Sequence, residues 1–458
     1  MAAALGIVLG FAVFVSIPWW LPQRVLALRA RIFVRLNGEE GIAVPGPTVS
    51  AAQFMHVYSH PAANGRSKGA GLSDLFWYWL SPGPEIHQEH LEAGARYDEV
   101  ARATRQFLAL PKVNAEELAA RCAERAYADL PGKSMVLVRL RNLMMSVWAD
   151  FYYQLVFGEP CSPAARKLIV DNADDVVTAL KCCGLRHMKK RERLTTFLVE
   201  KIRVGKLTNP LPDGLSIEEQ ALYLQGVFFN TAIVQMSEAM THLILAIAQH
   251  PEVQQALLEN DHDNHYLDQV IAETLRVFPL FGIAHRIATA DIAVDDHTTI
   301  SQGSVLCFNY ADYQRTGFDD PERFDPTRWN GLSKRDATYI PFGVTANRPC
   351  PAQAVAMVTM RAAGRELLKR FACYSSASHT RSIPHRGPCL FVARGGQEHP
   401  RVRAGVLAFI ALRDRWEDVW RSLLQLVLGT WMVWHARRLR LCQRHFEAAR
   451  CPVHADTR

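Results

Sequence analysis

The stretch YIPFGVTANRPCPAQAVAM, Tyr339 to Met357, sets a single cysteine, Cys350, between two prolines, behind a glycine-bearing loop and ahead of a helical pattern. A thiol at the start of a helix meets free backbone N–H groups and the positive end of the helix dipole. Both favour the thiolate, the form that binds metal. Two other stretches precede it in the chain. In IAETLRVFP, Glu273 and Arg276 stand at i and i+3, on one face of a helix. In DDPERFDPTRW, a proline-bounded loop offers Arg323. Taken alone, each of these reads as a surface ion pair or a solvated loop. Their order and spacing together carry the information.

In that order the three stretches resemble the cytochrome P450 family of haem-thiolate enzymes, over about Ser216 to Gly396. The resemblance implies a mainly α fold with small β-sheets and a haem b (iron protoporphyrin IX) cofactor. It makes Cys350 the proximal iron ligand, with Phe342 as the aromatic of the cysteine loop. Glu273, Arg276 and Arg323 become a buried charge triad behind the haem. Arg286 and Arg348 match positions that clamp haem propionates, work suited to guanidinium–carboxylate geometry. A thiolate ligand pushes electron density onto iron and favours O–O cleavage. No residue matches the family's third clamp; His87, His90, Arg102 and Arg105 are candidates only, each reading first as a solvated surface side chain.

The pattern breaks in two places. Ala346 and Ala352 stand where the family has glycine, and Phe342 lies eight residues ahead of Cys350, one more than usual. Alanine costs about 1–2 kcal/mol wherever positive φ is required. In the long helix, Val234 and Gln235 occupy the places of the acid–alcohol pair that delivers protons. Thr231, one turn earlier, shares a face with Gln235, and the two could hold a water between them; a hydroxyl and an amide packed inside a core helix is the plainer reading. Thr231 and Gln235 are therefore the catalytic candidates. The functions left open are a monooxygenase with an altered relay, a peroxide-using, isomerase or dehydratase-type enzyme, and a non-catalytic haem-binding scaffold.

The elements that must position these residues follow from periodicity. A long helix opens at Ser216 with Glu219 at capping-box spacing, runs about 35 residues to Pro251 and is apolar nearly all round. SMVLVRLRNLMMSVWADFYYQLVFG reads as helix, GEEGIAVPGPTVS as linker, and ADIAVDD, SVLCFNY and CLFVAR as strands. Another helix runs from Gln353 to about Phe371. Phe228, Phe229, Pro279, Leu280, Phe281 and Ile283 match regions that line the family's distal pocket, which fits a lipophilic substrate. Arg361, Arg365 and Lys369 recur along the helix after Cys350. They form either a docking stripe for an acidic ferredoxin- or flavodoxin-type donor or a solvated face.

The 458-residue chain is 49% hydrophobic and 21% charged with a net charge of +7, values that exclude a disordered chain. It shows no nucleic-acid motif. Ten cysteines without C-x-x-C spacing read as a reducing compartment. Ala2 to Pro22 is uncharged and long enough to span a bilayer. Trp19 and Trp20, near its end, sit where an interface belt belongs, and Arg24, Arg29, Arg31 and Arg35 follow, which predicts a membrane anchor with the body cytoplasmic. The tryptophan-rich end reads as an interfacial helix or as one packed on the body. The resulting division is anchor 1–36, haem domain 37–398 and basic tail 399–458.

Overall fold

The computed structural model describes residues 2–37, 41–131, 134–259, 264–280, 282–334, 337–377, 386–395 and 399–449. Phe281 and the last residues of the tail lie outside them. Mostly helical, the chain is organised around the long helix Ile217–Gln249, which is mostly buried, as an element apolar on every side must be. Ser216 caps it: the Ser216 hydroxyl accepts from the Glu219 N–H, and the Glu219 carboxylate accepts from the Ser216 N–H. Its middle, Gln225–Ala232, widens into π-helix. The helices Leu140–Phe157, Asn264–Val277 and Gln353–Arg370 pack against its second half.

Small sheets flank this core. Their strands are β1 Ile42–Val44, β2 Met135–Arg139, β3 Ile283–Ile287, β4 Ile292–Ala293, β5 Thr299–Ile300, β6 Val305–Asn309, β7 Phe371–Tyr374 and β8 Pro388–Ala393. Among the described residues they pair in the orders β1–β6–β3, β2–β8–β7 and β4–β5. Two of them correct the sequence reading. The stretch taken as a linker contains β1, which pairs parallel to β6, far along the chain. The stretch taken as one helix opens with β2, paired antiparallel to β8, and turns helical only at Leu140. In both cases the distant partner strand decides the conformation, with Val136 and Val138 well suited to a pleated surface.

The N-terminal helix Ala2–Asn37 runs through Pro18 and Pro22. Its apolar stretch Gly6–Leu36 is almost nowhere buried, which separates it from the similarly apolar core helix. It lies along the tail helix Pro400–Leu439, with Phe14 on Trp416 at 4.9 Å and Arg415 over the Trp19 ring at 5.1 Å. The tail helix is fastened to the body. Arg139 meets Glu417 at 2.9 Å, and Met432, Val433 and Ala436 are buried against Leu75, Tyr78 and Ala179. Of the two readings of the tail, packing on the body is the observed one.

Candidate functional site

Cys350 ends a loop that folds back on itself, its N–H donating to the Phe342 carbonyl at 2.8 Å. The Ala352 N–H points at the sulfur, just before the helix Gln353–Arg370. The thiol is exposed, yet protein crowds it. Burial is the leading cause that raises its pKa above a free thiol's, opposed by the Ala352 N–H and reinforced by the Glu89 charge. A side chain both accessible and crowded faces an internal slot. Glu89 shares this double character: 40% of its side chain is accessible although burial is the largest influence on its pKa. Thr231 and Gln235 are partly accessible on a helix whose neighbouring residues, Ala232 apart, are buried. These side chains mark the walls.

The loop is strained, though not at the alanines. Ala346 and Ala352 both avoid positive φ, with Ala352 at −89°. Gly343 and Arg348 adopt it instead, at +75° and +52°. The cost of about 1–2 kcal/mol for a non-glycine residue there falls on Arg348. That turn lays the Arg348 guanidinium over the Tyr97 ring, 3.6 Å from its centroid, and on the Leu91 carbonyl at 2.7 Å.

Arg286 on β3 and Arg348 are joined by an arginine that sequence reasoning missed. Arg66 has a fully buried side chain, and the bridge between Gly65 and Ile287 draws it to Arg286. Nη1 of Arg66 and Nη1 of Arg286 each donate to the Glu89 carboxylate at 3.0 Å. Burial would raise the Glu89 pKa, but Arg286 and Arg66 outweigh it and hold the carboxyl well below the usual range. Three buried donors of this cradle have no partner among the described residues: Arg66 Nε, Arg286 Nε and Arg348 Nη2. Unpaired buried guanidinium groups are costly, so the donor set calls for further anionic oxygens. The carboxylates of a porphyrin would fit that demand, and the Cys350 sulfur would be the residue to hold its iron. Arg102 and Arg105 are exposed, whereas His87 and His90, read as surface groups, are buried. Nothing in the Arg66 segment NGRSKG marks it beforehand; only the sheet brings it in.

Behind the loop lies a closed charge network. Arg276 donates to both Glu273 oxygens at 2.8 Å, with both side chains fully buried. The Asp325 N–H and Trp329 Nε1–H also donate to Glu273, at 2.9 and 3.1 Å. The second guanidinium on Glu273 belongs to Arg328, at 3.0 Å, and not to Arg323. Arg323 is exposed and supplies its backbone carbonyl to Arg276 at 3.1 Å. The short helical turn Pro326–Trp329 aims Arg328 inward while Arg323, before the turn, points out.

Other expectations are redrawn. Phe228 and Phe229 are buried in the core among Phe107, Tyr152, Tyr223 and Phe157. Arg361 pairs with Asp268 at 2.8 Å and with Glu116 at 3.4 Å, and Lys369 with Glu366 at 2.6 Å, so the stripe is largely neutralised.

Residues 167–394 match the family model for cytochrome P450. A putative cytochrome P450 135B1 of Mycobacterium tuberculosis is 32% identical over 133 residues, covering 27% of this chain and 28% of that protein. Ent-kaurenoic acid oxidase 2 of Arabidopsis thaliana is 34% identical over 104 residues, 22% of this chain and 21% of that one. The matched part therefore spans little more than a quarter of these relatives at most. Among solved structures, the retinoic acid-bound cyanobacterial CYP120A1 superposes with a TM-score of 0.59 at 15% identity, covering 75% of this chain and 88% of that one. One family model takes in the long helix, the charge network and the cysteine loop in their observed order: the chain belongs to the cytochrome P450 family.

Proposed function

We propose that this chain holds haem b through Cys350 and oxidises a lipophilic small molecule with electrons from a separate donor protein. The observation that carries this reading is the Cys350 thiol facing a slot rimmed by three arginines with unmet donors. When bound, the iron porphyrin supplies oxygen activation, which a thiolate ligand biases toward O–O cleavage. The chain's own part is to seat the group. Arg66, Arg286 and Arg348 meet its carboxylates, the Ala352 N–H stabilises the sulfur, and the Glu273 network fixes the loop from behind.

Lipophilic substrates are supported by the apolar core around the slot and by relatives whose names refer to ent-kaurenoic acid and retinoic acid. They are also supported by the exposed apolar helix Gly6–Leu36, which we take as a membrane anchor with the body cytoplasmic. The donor, of ferredoxin or flavodoxin type, follows from the lack of a flavin or nicotinamide fingerprint in the chain. Its docking surface is not the Arg361 stripe, which is internally paired. A second reading, peroxide-driven turnover, is favoured by Val234 and Gln235 in place of the acid–alcohol pair.

The test is the spectrum of the purified full chain, reduced under carbon monoxide. The expected result is the long-wavelength Soret band of a thiolate-ligated haem, lost in Cys350→Ala. Retention of that band by Cys350→Ala would refute the reading. Turnover with reductant plus oxygen, compared with peroxide alone, separates the two reactions.

A further inference from the structure

Among the described residues, the Thr231 hydroxyl has one partner, Nε2 of His87 at 2.8 Å. The other ring nitrogen settles the tautomer. Nδ1 accepts the backbone N–H of Glu89 at 3.2 Å, so a neutral ring carries its proton on Nε2 and donates it to Thr231 Oγ1. Neutrality follows from burial, which lowers the His87 pKa to about 4 against the opposing Glu89 charge. An oxygen that accepts from His87 keeps its own O–H, and no acceptor for that hydrogen is found among the described residues. Thr231 is partly accessible on a largely buried helix, and its partner His87 lies two residues from Glu89 of the arginine cradle.

Two features of the fold make this contact possible. His87 follows the short turn Pro84–Ile86 and crosses the π-helical segment Gln225–Ala232. Gly226 lies where they cross; a Cβ there would stand 3.3 Å from His87 Cδ2 and crowd the ring. The loop comes close because that side chain is missing.

We propose that His87 is the positioning residue that fixes the Thr231 hydroxyl as a proton donor into the haem slot. An orienting group supplied by a separate loop thus takes the place of the acid missing from the long helix. The proposal rests on the haem-thiolate reading above and adds to it a residue the helix does not contain. His87 holds the hydroxyl hydrogen toward the slot and itself keeps its proton.

The test uses the full chain loaded with haem and reads the C–O stretch of the ferrous carbon monoxide complex, which falls when a donor points at the bound ligand. Thr231→Val and His87→Leu should raise the stretch by the same amount, and the double variant no further. His87→Gln, whose amide N–H can replace Nε2–H, should restore most of the wild-type value. A wild-type stretch in His87→Leu beside a shifted Thr231→Val overturns the proposal, as does a His87→Gln that behaves like His87→Leu. Nitrogen-15 spectra of the wild-type imidazole give a check free of folding effects. Nε2–H is expected, and a proton on Nδ1 overturns the proposal. A thiolate-type band in the wild type together with either adverse result sinks this proposal alone. Its absence sinks the parent reading and this one with it.

Discussion

Two buried charge clusters lie on either side of the cysteine loop, and they differ in kind. The Glu273 network is closed. Its carboxylate receives two guanidinium groups, a backbone N–H and an indole N–H, and Arg276 also reaches the Pro321 carbonyl at 2.8 Å. The Glu89 cradle is open. Two arginines, Arg66 and Arg286, share one carboxylate, Arg348 stands close by on the Leu91 carbonyl, and all three have donors left over. A closed network can serve the fold without a ligand. An open one is complete only when something anionic arrives, so the difference separates a structural device from a binding device within one protein.

The contrast can be broken experimentally. Removing the closed network's anion should do the most damage: Glu273→Ala takes the counter-ion from the buried Arg276 guanidinium and from the partly exposed Arg328, and should cost about 3–5 kcal/mol of folding stability, read by denaturant melts with or without haem. Arg323→Ala, by contrast, should stay within about 0.5 kcal/mol, because only its backbone takes part. If Arg323→Ala proved as costly as Arg328→Ala, the assignment of the second guanidinium would be wrong.

In the cradle the larger effect should fall on the ligand. Arg286→Met and Arg66→Met each remove a charge-assisted contact of about 1.5–3 kcal/mol, roughly a tenfold to hundredfold loss of haem retention. Competition with apomyoglobin would measure it. Equal haem retention in wild type and variants would close the cradle and erase the distinction.

Acid should also act unequally. His285 stacks on Phe76 at 4.9 Å beside the cradle, and its pKa is pushed down to about 4 by burial and by Arg286, against Glu89. The unfolded ring takes its proton near pH 6.5 and the folded one only near pH 4. Stability is therefore full above pH 6.5 and is lost toward pH 4 by up to about 1.4 kcal/mol per pH unit. His285→Phe should flatten that slope in urea melts. The Glu89 pKa is depressed as well, so its contribution persists above its unfolded value and fades only in stronger acid.

The smallest effect concerns the loop between the clusters. Ala346→Gly should not stabilise, because that position does not use positive φ; the added backbone freedom should cost about 0.5–1 kcal/mol. A rise in melting temperature would show that the strain sits at Ala346 after all.

The order of Glu273, Arg276 and Cys350, the capped apolar helix and the exposed N-terminal helix were legible in the one-dimensional chain, because each depends on neighbours within a few turns. Spacing, capping and periodicity are local physics. Arg66, Arg328 and His87 were not legible. Each matters through a partner supplied by another element: β3 for Arg66, a turn of 3-10 helix for Arg328, the π-segment with Gly226 for His87. The same holds for β1 and β2, whose conformation is set by strands more than 200 residues away. A charged or polar side chain carries no mark of its destination. Desolvation makes burial tolerable only where a partner waits, and where partners wait is settled when the chain is packed.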